Sequence, residues 1–513
     1  MQLTHKHKLT LLIIFYGAWG LVLGMSIARY GLGVSSDSVA YLFAGKNLFA
    51  GQGLTAYSEN PFVLWPPVYP VLLGLVHSLT GIEVFHAAIL LQFLAYGLAS
   101  AATTLLLRQI FPQNFAFALL GCIVIAIGPV VTITFQLVGT DYLHLALVLA
   151  CLFILGQYAR TQATSHLWRM ALLGGTAGLL RYTGLAVILT GAILVFIYTS
   201  APLRRRLARS FWTGLAALPT GARILAERFI FRPPRREPIE FSRSLAQYSG
   251  SILEWFTQAE VGEAAPLLVW TLWGIVAALV VFLLAARRVQ PVFVPESVAI
   301  LGYGLVYTIL LLGISSQTYV NRLIGRFVLP VYAPLILLVL LATEAIIRLA
   351  KSRLRGGAAR IATAGVALAL LLAFLPIGSE SIATIRETAA NGAGYENIYN
   401  SREWNENGII RFIKENPLPE NARLFSNYQA GIAFHTWQTV YPSPRKFSNP
   451  YSDKVIPLKN YRSRLFAKGV DTYLIWIEPN FYEHVYEVGE LTEIARIVPI
   501  LENEDGGIYR LIP

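Results

Sequence analysis

The sequence predicts a polytopic α-helical membrane protein that ends in a soluble α/β domain. Three observations carry this. Among 513 residues, 55% are hydrophobic and only 14% charged, with a mean hydropathy of +0.55, whereas a soluble domain carries about a quarter charged residues. Apolar runs of membrane-spanning length recur, separated by short loops. Near Ser379 the composition changes: charged and polar residues return with short alternating helix and strand patterns. The expected division is a membrane region over 1–378 and a soluble domain over 379–513.

The apolar runs predict about eleven spans: Leu9–Ile27, Val84–Leu107, Phe115–Phe135, Asp141–Tyr158, Met170–Leu180, Gly184–Ser200, Phe211–Leu225, Pro266–Ala286, Ser297–Ile314, Phe327–Ile347 and Ile361–Ile377. The first follows His5-Lys6-His7-Lys8 and resembles a signal peptide. At roughly 19 residues it is long for a cleaved leader and right for a span. Val68–Leu79 is too short to cross and reads as a re-entrant or interfacial helix.

The net charge of +12 comes from 41 Lys and Arg against 29 Asp and Glu. Many of the basic residues lie in short loops, the pattern of topology signals and anionic-lipid contacts. With no basic domain, zinc spacing or RNA-binding signature, membrane lipids are expected partners and nucleic acid is not. His5–Lys8, Arg108, Arg160 with Arg169, Arg204–Arg209, Arg287 with Arg288, and Arg348–Arg360 fall on one side, which the positive-inside rule makes cytoplasmic. The N-terminus is then cytoplasmic and the C-terminal domain extracytoplasmic. Arg228, Arg232, Arg235, Arg236 and Arg243 violate the rule. Two further readings stay open. Phe211–Leu225 is short and contains Pro219, and Met170–Ser200 can be one interrupted helix with Arg181 in its middle.

In the C-terminal part, Glu403–Glu415 and Tyr428–Thr436 read as helices, and Arg423–Ser426, Thr439–Tyr441 and Thr472–Ile477 as strands. Gly506-Gly507 before Ile508–Leu511 marks a terminal hairpin. No Gly-rich phosphate loop or internal repeat is visible. Cys122 and Cys151 sit in apolar runs, where a free Cys is most often a small buried hydrophobe.

The chemistry-bearing residues gather at one set of loops. The loop over 28–83 contains Asp37 in Ser35-Ser36-Asp37-Ser38, a position that suits either a helix cap or a general base. It closes on Trp65-Pro66-Pro67-Val68-Tyr69-Pro70, where the proline pair fixes a stiff turn. Asp141 follows Gly139-Thr140, where the helix dipole favours an acid. Asp141 and His144 can share a helix face, but two ligands make a weak metal site, so no cofactor is expected and a divalent cation is an open alternative without support in the sequence. Arg181 and Arg326 fall at helix ends on the Asp37 side. A guanidinium there can hold a phosphate in two-pronged fashion or meet lipid phosphates at the interface. Arg322, Lys46 and Arg243 are further candidates for that work. Trp65, Tyr69 and Tyr182 can stack on a sugar, line a lipid groove or form part of an interfacial aromatic belt.

Taken together, Asp37, Tyr41, Asn47, Gly51-Gln52-Gly53 and the Trp-Pro-Pro-Val-Tyr-Pro run resemble the first outer loop of the GT-C fold glycosyltransferases. The pattern is similar to bacterial relatives of the protein O-mannosyltransferases, to the aminoarabinose transferases of lipid A and to rhizobial lipopolysaccharide transferases. Arg181-Tyr182-Thr183-Gly184 and Gly325-Arg326-Phe327-Val328-Leu329-Pro330 extend the resemblance. It implies a GT-C fold in a bacterial inner or plasma membrane and a polyprenyl-phosphate-sugar donor. The acceptor would be a hydroxyl of a lipid, glycan or protein on the outer side. It makes Asp37 the catalytic residue, with Asp141 as a second acid, and sets Tyr41, Trp65, Tyr69 and Tyr182 near substrate. One departure stands out: Leu64-Trp65 replaces the acid that aminoarabinose transferases place before the proline pair. The alternatives are a transporter or lipid flippase, or a non-catalytic assembly protein of the same fold.

Overall fold

The computed structural model describes residues 5–58, 60–231, 240–257, 261–286, 293–315, 325–354, 357–393, 398–447 and 455–513. Helices in the membrane region are α1 His5–Ser26, α2 Ser36–Phe49, α3 Val68–Thr80, α4 Val84–Ile110, α5 Phe115–Ala126, α6 Pro129–Phe135, α7 Asp141–Thr161 and α8 Thr164–Leu180. They continue as α9 Leu185–Tyr198, α10 Leu203–Gly214, α11 Leu218–Ala226, α12 Phe241–Thr257, α13 Pro266–Ala286, α14 Pro295–Ser315, α15 Gly325–Arg353 and α16 Gly357–Asn391. Seven of the described helices are long and apolar enough to cross a membrane, or eight if α5 and α6 form one span bent by 51°. The bend has a local cause. Pro129 starts α6, and Gly128 lies so close to the Tyr332 ring that a Cβ there would sit 2.4 Å from it.

Hydrogen bonds at the two ends of the bundle show how several of these helices run. At one end of the bundle, Gln136 after α6 donates to the Ser26 hydroxyl of α1 at 2.9 Å. Thr388 of α16 donates to Gln136 there at 3.0 Å. At the other end the Tyr158 hydroxyl of α7 meets that of Thr199, just past α9, at 2.5 Å. Arg160 of α7 grips Glu296 of α14 through both carboxylate oxygens, at 2.9 and 2.7 Å. Arg181, which follows α8, reaches back to Asp141 at the start of α7. Helices α8 and α9 are therefore an antiparallel hairpin turning at Arg181-Tyr182-Thr183, not one interrupted helix. The expected span Phe211–Leu225 is divided at Leu215–Ala217, with Pro219 in the first turn of α11. The segment nevertheless touches both ends. Arg209 donates to Tyr158 at 3.1 Å, and Tyr182 donates to Glu227. Helix α12 was not anticipated from the sequence. Helix α3 is short, as its length predicted. Helix α16 continues past residue 379 to Asn391, so the change of composition falls inside a helix.

The C-terminal part holds α17 Arg402–Glu406, α18 Gly408–Glu415 and α19 Gln429–Thr436, with strands β1 Arg423–Ser426, β2 Val440–Pro442, β3 Thr472–Ile477, β4 Arg496–Asn503 and β5 Gly506–Ile512. The sheet order is β2-β1-β3-β5-β4. The first three strands are parallel, and β5 pairs antiparallel with both β3 and β4. All residues of β3 are buried, which is why Thr472–Ile477 reads as an unbroken apolar run rather than an alternating one. The helix expected over Glu403–Glu415 is two helices, because the Asn407 side chain caps α18 by accepting from the Ile409 and Ile410 amides.

His435 gives this part a pH dependence. Burial, with help from the Lys414 charge, lowers its imidazole from 6.5 to about 3. Its Nε2 lies 2.6 Å from the Tyr399 carbonyl, which the neutral ring donates to. Below pH 6.5 the unfolded chain takes up a proton that the folded one refuses. The stabilisation is complete above pH 6.5 and falls by about 1.4 kcal/mol per unit as pH drops toward 3. His435→Gln is expected to flatten that acid limb in denaturant-unfolding series measured across pH.

Candidate active site

The chain enters the site as an extended segment clamped from two sides. The Gly33 amide donates to Gln136 O at 2.7 Å, and the Val138 amide donates to Gly33 O at 2.9 Å. From the C-terminal part, Asn400 accepts from the Val34 amide at 2.9 Å. Its amide group donates to Tyr30 O at 2.5 Å and Leu32 O at 2.7 Å. The Tyr399 amide donates to Val34 O at 2.9 Å. Helix α2 then begins with a reciprocal cap between Ser35 and Ser38, and the Ser38 hydroxyl also donates to Val138 O at 2.6 Å. The capping anticipated for Asp37 is thus done by Ser35 and Ser38. Asp37 occupies the first turn with its carboxylate free of that duty.

That carboxylate faces Arg326, Nη2 to Oδ2 at 3.4 Å, with side-chain exposures of 30% for Asp37 and 34% for Arg326. A second pair, Asp141 with Arg181, is more enclosed at 13% and 16%. Arg181 also donates to the Thr140 hydroxyl at 3.3 Å. Both guanidinium groups lie over the ring of Phe327, at 5.2 Å for Arg326 and 5.9 Å for Arg181. The site is therefore two acid–base pairs bridged by one aromatic ring. The difference in exposure separates their chemistry: Asp37 and Arg326 are open to a ligand, while Arg181 and Asp141 largely satisfy each other. Arg326 Nε is buried with no hydrogen-bond partner among the described residues. A buried donor without a partner carries a desolvation cost that an anionic ligand relieves. Prolines at 330 and 334 interrupt the first turns of α15, and the Tyr307 hydroxyl steadies that start by donating to Phe327 O at 2.8 Å.

Tyr41 lies one helical turn after Asp37, on the same face. Its ring packs against Tyr69 at 5.3 Å, Phe62 at 5.8 Å and Trp65 at 6.0 Å. Tyr41 and Tyr69 are buried, and Trp65 is half-buried. Burial and the Asp37 charge raise the Tyr41 phenol, so it stays a neutral donor. The wall depends on a close crossing of α2 and α3: a Cβ on Gly74 would lie 2.3 Å from Gly45 O. Gly74→Val is expected to cost about 1–3 kcal/mol from overpacking, read as a lower thermal midpoint in detergent. It should also lower activity by moving Trp65 and Tyr69.

Other predicted residues are placed elsewhere. Lys46 lies about 13 Å along α2 from Asp37 by helical rise and sits over the Trp437 ring at 5.0 Å, against the C-terminal part. Tyr182 donates to Glu227. Arg243 is exposed and paired with Glu263 at 2.6 Å. Arg322 lies outside the described residues, as do Arg232, Arg235 and Arg236. Sequence reasoning missed Asn400, and it missed Arg223, which donates to Phe62 O at 2.9 Å and pairs with Glu227 at 3.3 Å. Neither lies in a motif, because each acts on backbone or side chains distant in sequence.

Fold and site together resemble those of GT-C type membrane proteins. The model of the family described as dolichyl-phosphate-mannose-protein mannosyltransferase matches residues 65–221. The whole chain superimposes on the crystal structure of ArnT from Cupriavidus metallidurans in the apo state. The TM-score is 0.61 at 15% identity, covering 98% of each chain. ArnT bound to undecaprenyl phosphate aligns with a TM-score of 0.60 at 14% identity, over 99% of this chain and 98% of that one. A search of curated proteins gave no significant match. The resemblance to GT-C glycosyltransferases drawn from the sequence is borne out by the family match and by the fold.

Proposed function

We propose that this protein transfers a sugar from a polyprenyl-phosphate donor to an acceptor hydroxyl on the outer side of a bacterial cell membrane. The observation that carries the reading is the half-open Asp37–Arg326 pair beside the buried Arg181–Asp141 pair. It combines a carboxylate for the acceptor with guanidinium groups for a departing phosphate. Asp37 orients the acceptor hydroxyl and takes its proton as the oxygen bonds to the anomeric carbon. The bond from that carbon to the donor phosphate breaks, and its electron pair leaves with the polyprenyl phosphate. Arg326 stabilises the developing phosphate charge directly. Arg181 contributes positive potential while fixing Asp141. The undecaprenyl phosphate in the ArnT structure supports a lipid of the same kind as donor carrier here.

The topology we adopt has about eleven crossings, with the N-terminus cytoplasmic and the C-terminal part outside. It is supported by α8 with α9 forming a hairpin and by the α10–α11 segment touching both ends of the bundle. Purified protein is expected to move radiolabelled sugar from a polyprenyl-phosphate donor to an envelope glycan or lipid. Stable protein that binds polyprenyl phosphate but transfers none of a panel of donor sugars, or that moves the lipid across vesicles instead, would overturn the reading.

A further inference from the structure

Beside Asp37 the sheet of the C-terminal part opens a pocket of about 200 Å³. It lies at the carboxyl ends of β1 and β2, where Ser426 with Asn427 and Pro442 with Ser443 form its floor. Strand β1 lies between β2 and β3, so the chain leaves it toward β2 on one side and later returns to β3 on the other. Ligands of open α/β sheets bind at such a point, outside the carboxyl strand ends. Asn427 holds β1 and β3 in register there, donating to Ile477 O at 2.8 Å and accepting from the Ile477 amide at 3.0 Å. Helix α19 begins at this edge without a side-chain cap.

The remaining wall comes from the membrane region. Ser36, the residue before Asp37, and Tyr57 both line the pocket. Asp37 and Arg445 act on Tyr57 in opposite senses: burial and the Asp37 charge push its phenol up to about 12, while Arg445 opposes the rise. Among the described residues no carboxylate lies within ion-pair distance of Arg445. Two buried polar atoms of the lining, Ser443 Oγ and Gln429 Oε1, have no hydrogen-bond partner among the described residues, and Ser443 is only 2% exposed. Tyr57 and Tyr482 add aromatic rings. Amide, hydroxyl and aromatic groups around a guanidinium with no carboxylate partner among the described residues suit a polyhydroxylated ring that carries one negative charge.

Resting on the transferase reading, we infer that this pocket is the acceptor site. It takes a carbohydrate residue with an anionic substituent, held by Arg445, Ser443 and Gln429, so that a free hydroxyl is presented to Asp37. The C-terminal part then selects the acceptor rather than merely covering the active site. The two possible anions, a carboxylate and a phosphate monoester, are separated by the probes below.

The test is binding of glucuronate, glucose 1-phosphate, glucose and inorganic phosphate to the purified full-length protein, alongside transfer kinetics. One or both charged sugars are expected to bind about tenfold or more tighter than glucose, and tighter than inorganic phosphate. Arg445→Ala is expected to remove that preference and raise the acceptor KM about ten- to hundredfold without moving the donor KM. Tyr57→Phe, which deletes one hydroxyl, should weaken the same probes less and guards against a folding defect in the first variant. The inference is overturned if charged and neutral sugars bind alike, if inorganic phosphate alone matches the sugars, or if both variants leave acceptor KM unchanged in an enzyme that transfers. If the charged sugars bind through Arg445 and no donor is turned over, the pocket's ligand class stands and the transferase reading fails.

Discussion

Asp37→Asn is expected to lower turnover by about 10²–10⁴-fold, the range for removing a general base, while leaving the fold and donor affinity intact. Both halves of the expectation come from geometry. The start of α2 is fixed by Ser35 and Ser38, and the extended segment before it by Asn400, Gln136 and Val138, so an amide in place of the carboxylate keeps its position. The pair it breaks is about one third exposed on each side, where ion pairs contribute little to stability. Arg326 loses its internal counter-ion, so polyprenyl phosphate should bind no more weakly than to the parent. Single-turnover transfer, set beside equilibrium binding of polyprenyl phosphate, distinguishes the two effects. Full transfer by the Asn variant would move the base to another group, with Asp141 next to be tested.

Arg326→Ala is expected to weaken polyprenyl-phosphate binding by about ten- to hundredfold, the scale of one charge-assisted hydrogen-bonded contact, and to slow turnover further. Arg326 presents a third of its surface and a buried Nε without a partner among the described residues. Arg181 has its guanidinium committed to Asp141 and Thr140. Arg326→Lys should recover only part of the loss, because an ammonium lacks the planar fork that grips two phosphate oxygens. The matching change at Arg181 should act mainly through stability, because it strands a largely buried Asp141 carboxylate. If Arg181→Ala weakened donor binding and Arg326→Ala did not, the assignments would be exchanged. Direct binding of polyprenyl phosphate to the detergent-purified variants decides this.

Much of the candidate site was legible because it is built from residue types that are costly at membrane depth. Asp37, Asp141, Arg181 and Arg326 stand out against apolar surroundings, and the structure brings all four together around Phe327. Long helices such as α4, α7 and α15 were equally plain, since an uninterrupted apolar run of that length has few other uses. What stayed hidden depends on contacts between distant segments. Asn400 looks like any loop asparagine until the backbone of Tyr30 and Leu32 arrives beside it. Lys46 has the right charge for a phosphate but lies too far along α2 and rests on Trp437. Asp37 resembles a helix cap because local sequence cannot tell which of several polar neighbours turns inward; here Ser35 and Ser38 do.

The Asn400 clamp has a consequence for how the protein can be taken apart. Three backbone groups that lead into α2 are held by one side chain from beyond α16, and a fourth by the neighbouring Tyr399 amide. A fragment ending at α16 would retain every charged group around Phe327 yet lose the anchor that sets the depth of Asp37. The C-terminal part is in this sense a mechanical component of the helical part before it. Separately expressed halves should regain activity only where their reassembly restores the contact at residue 400.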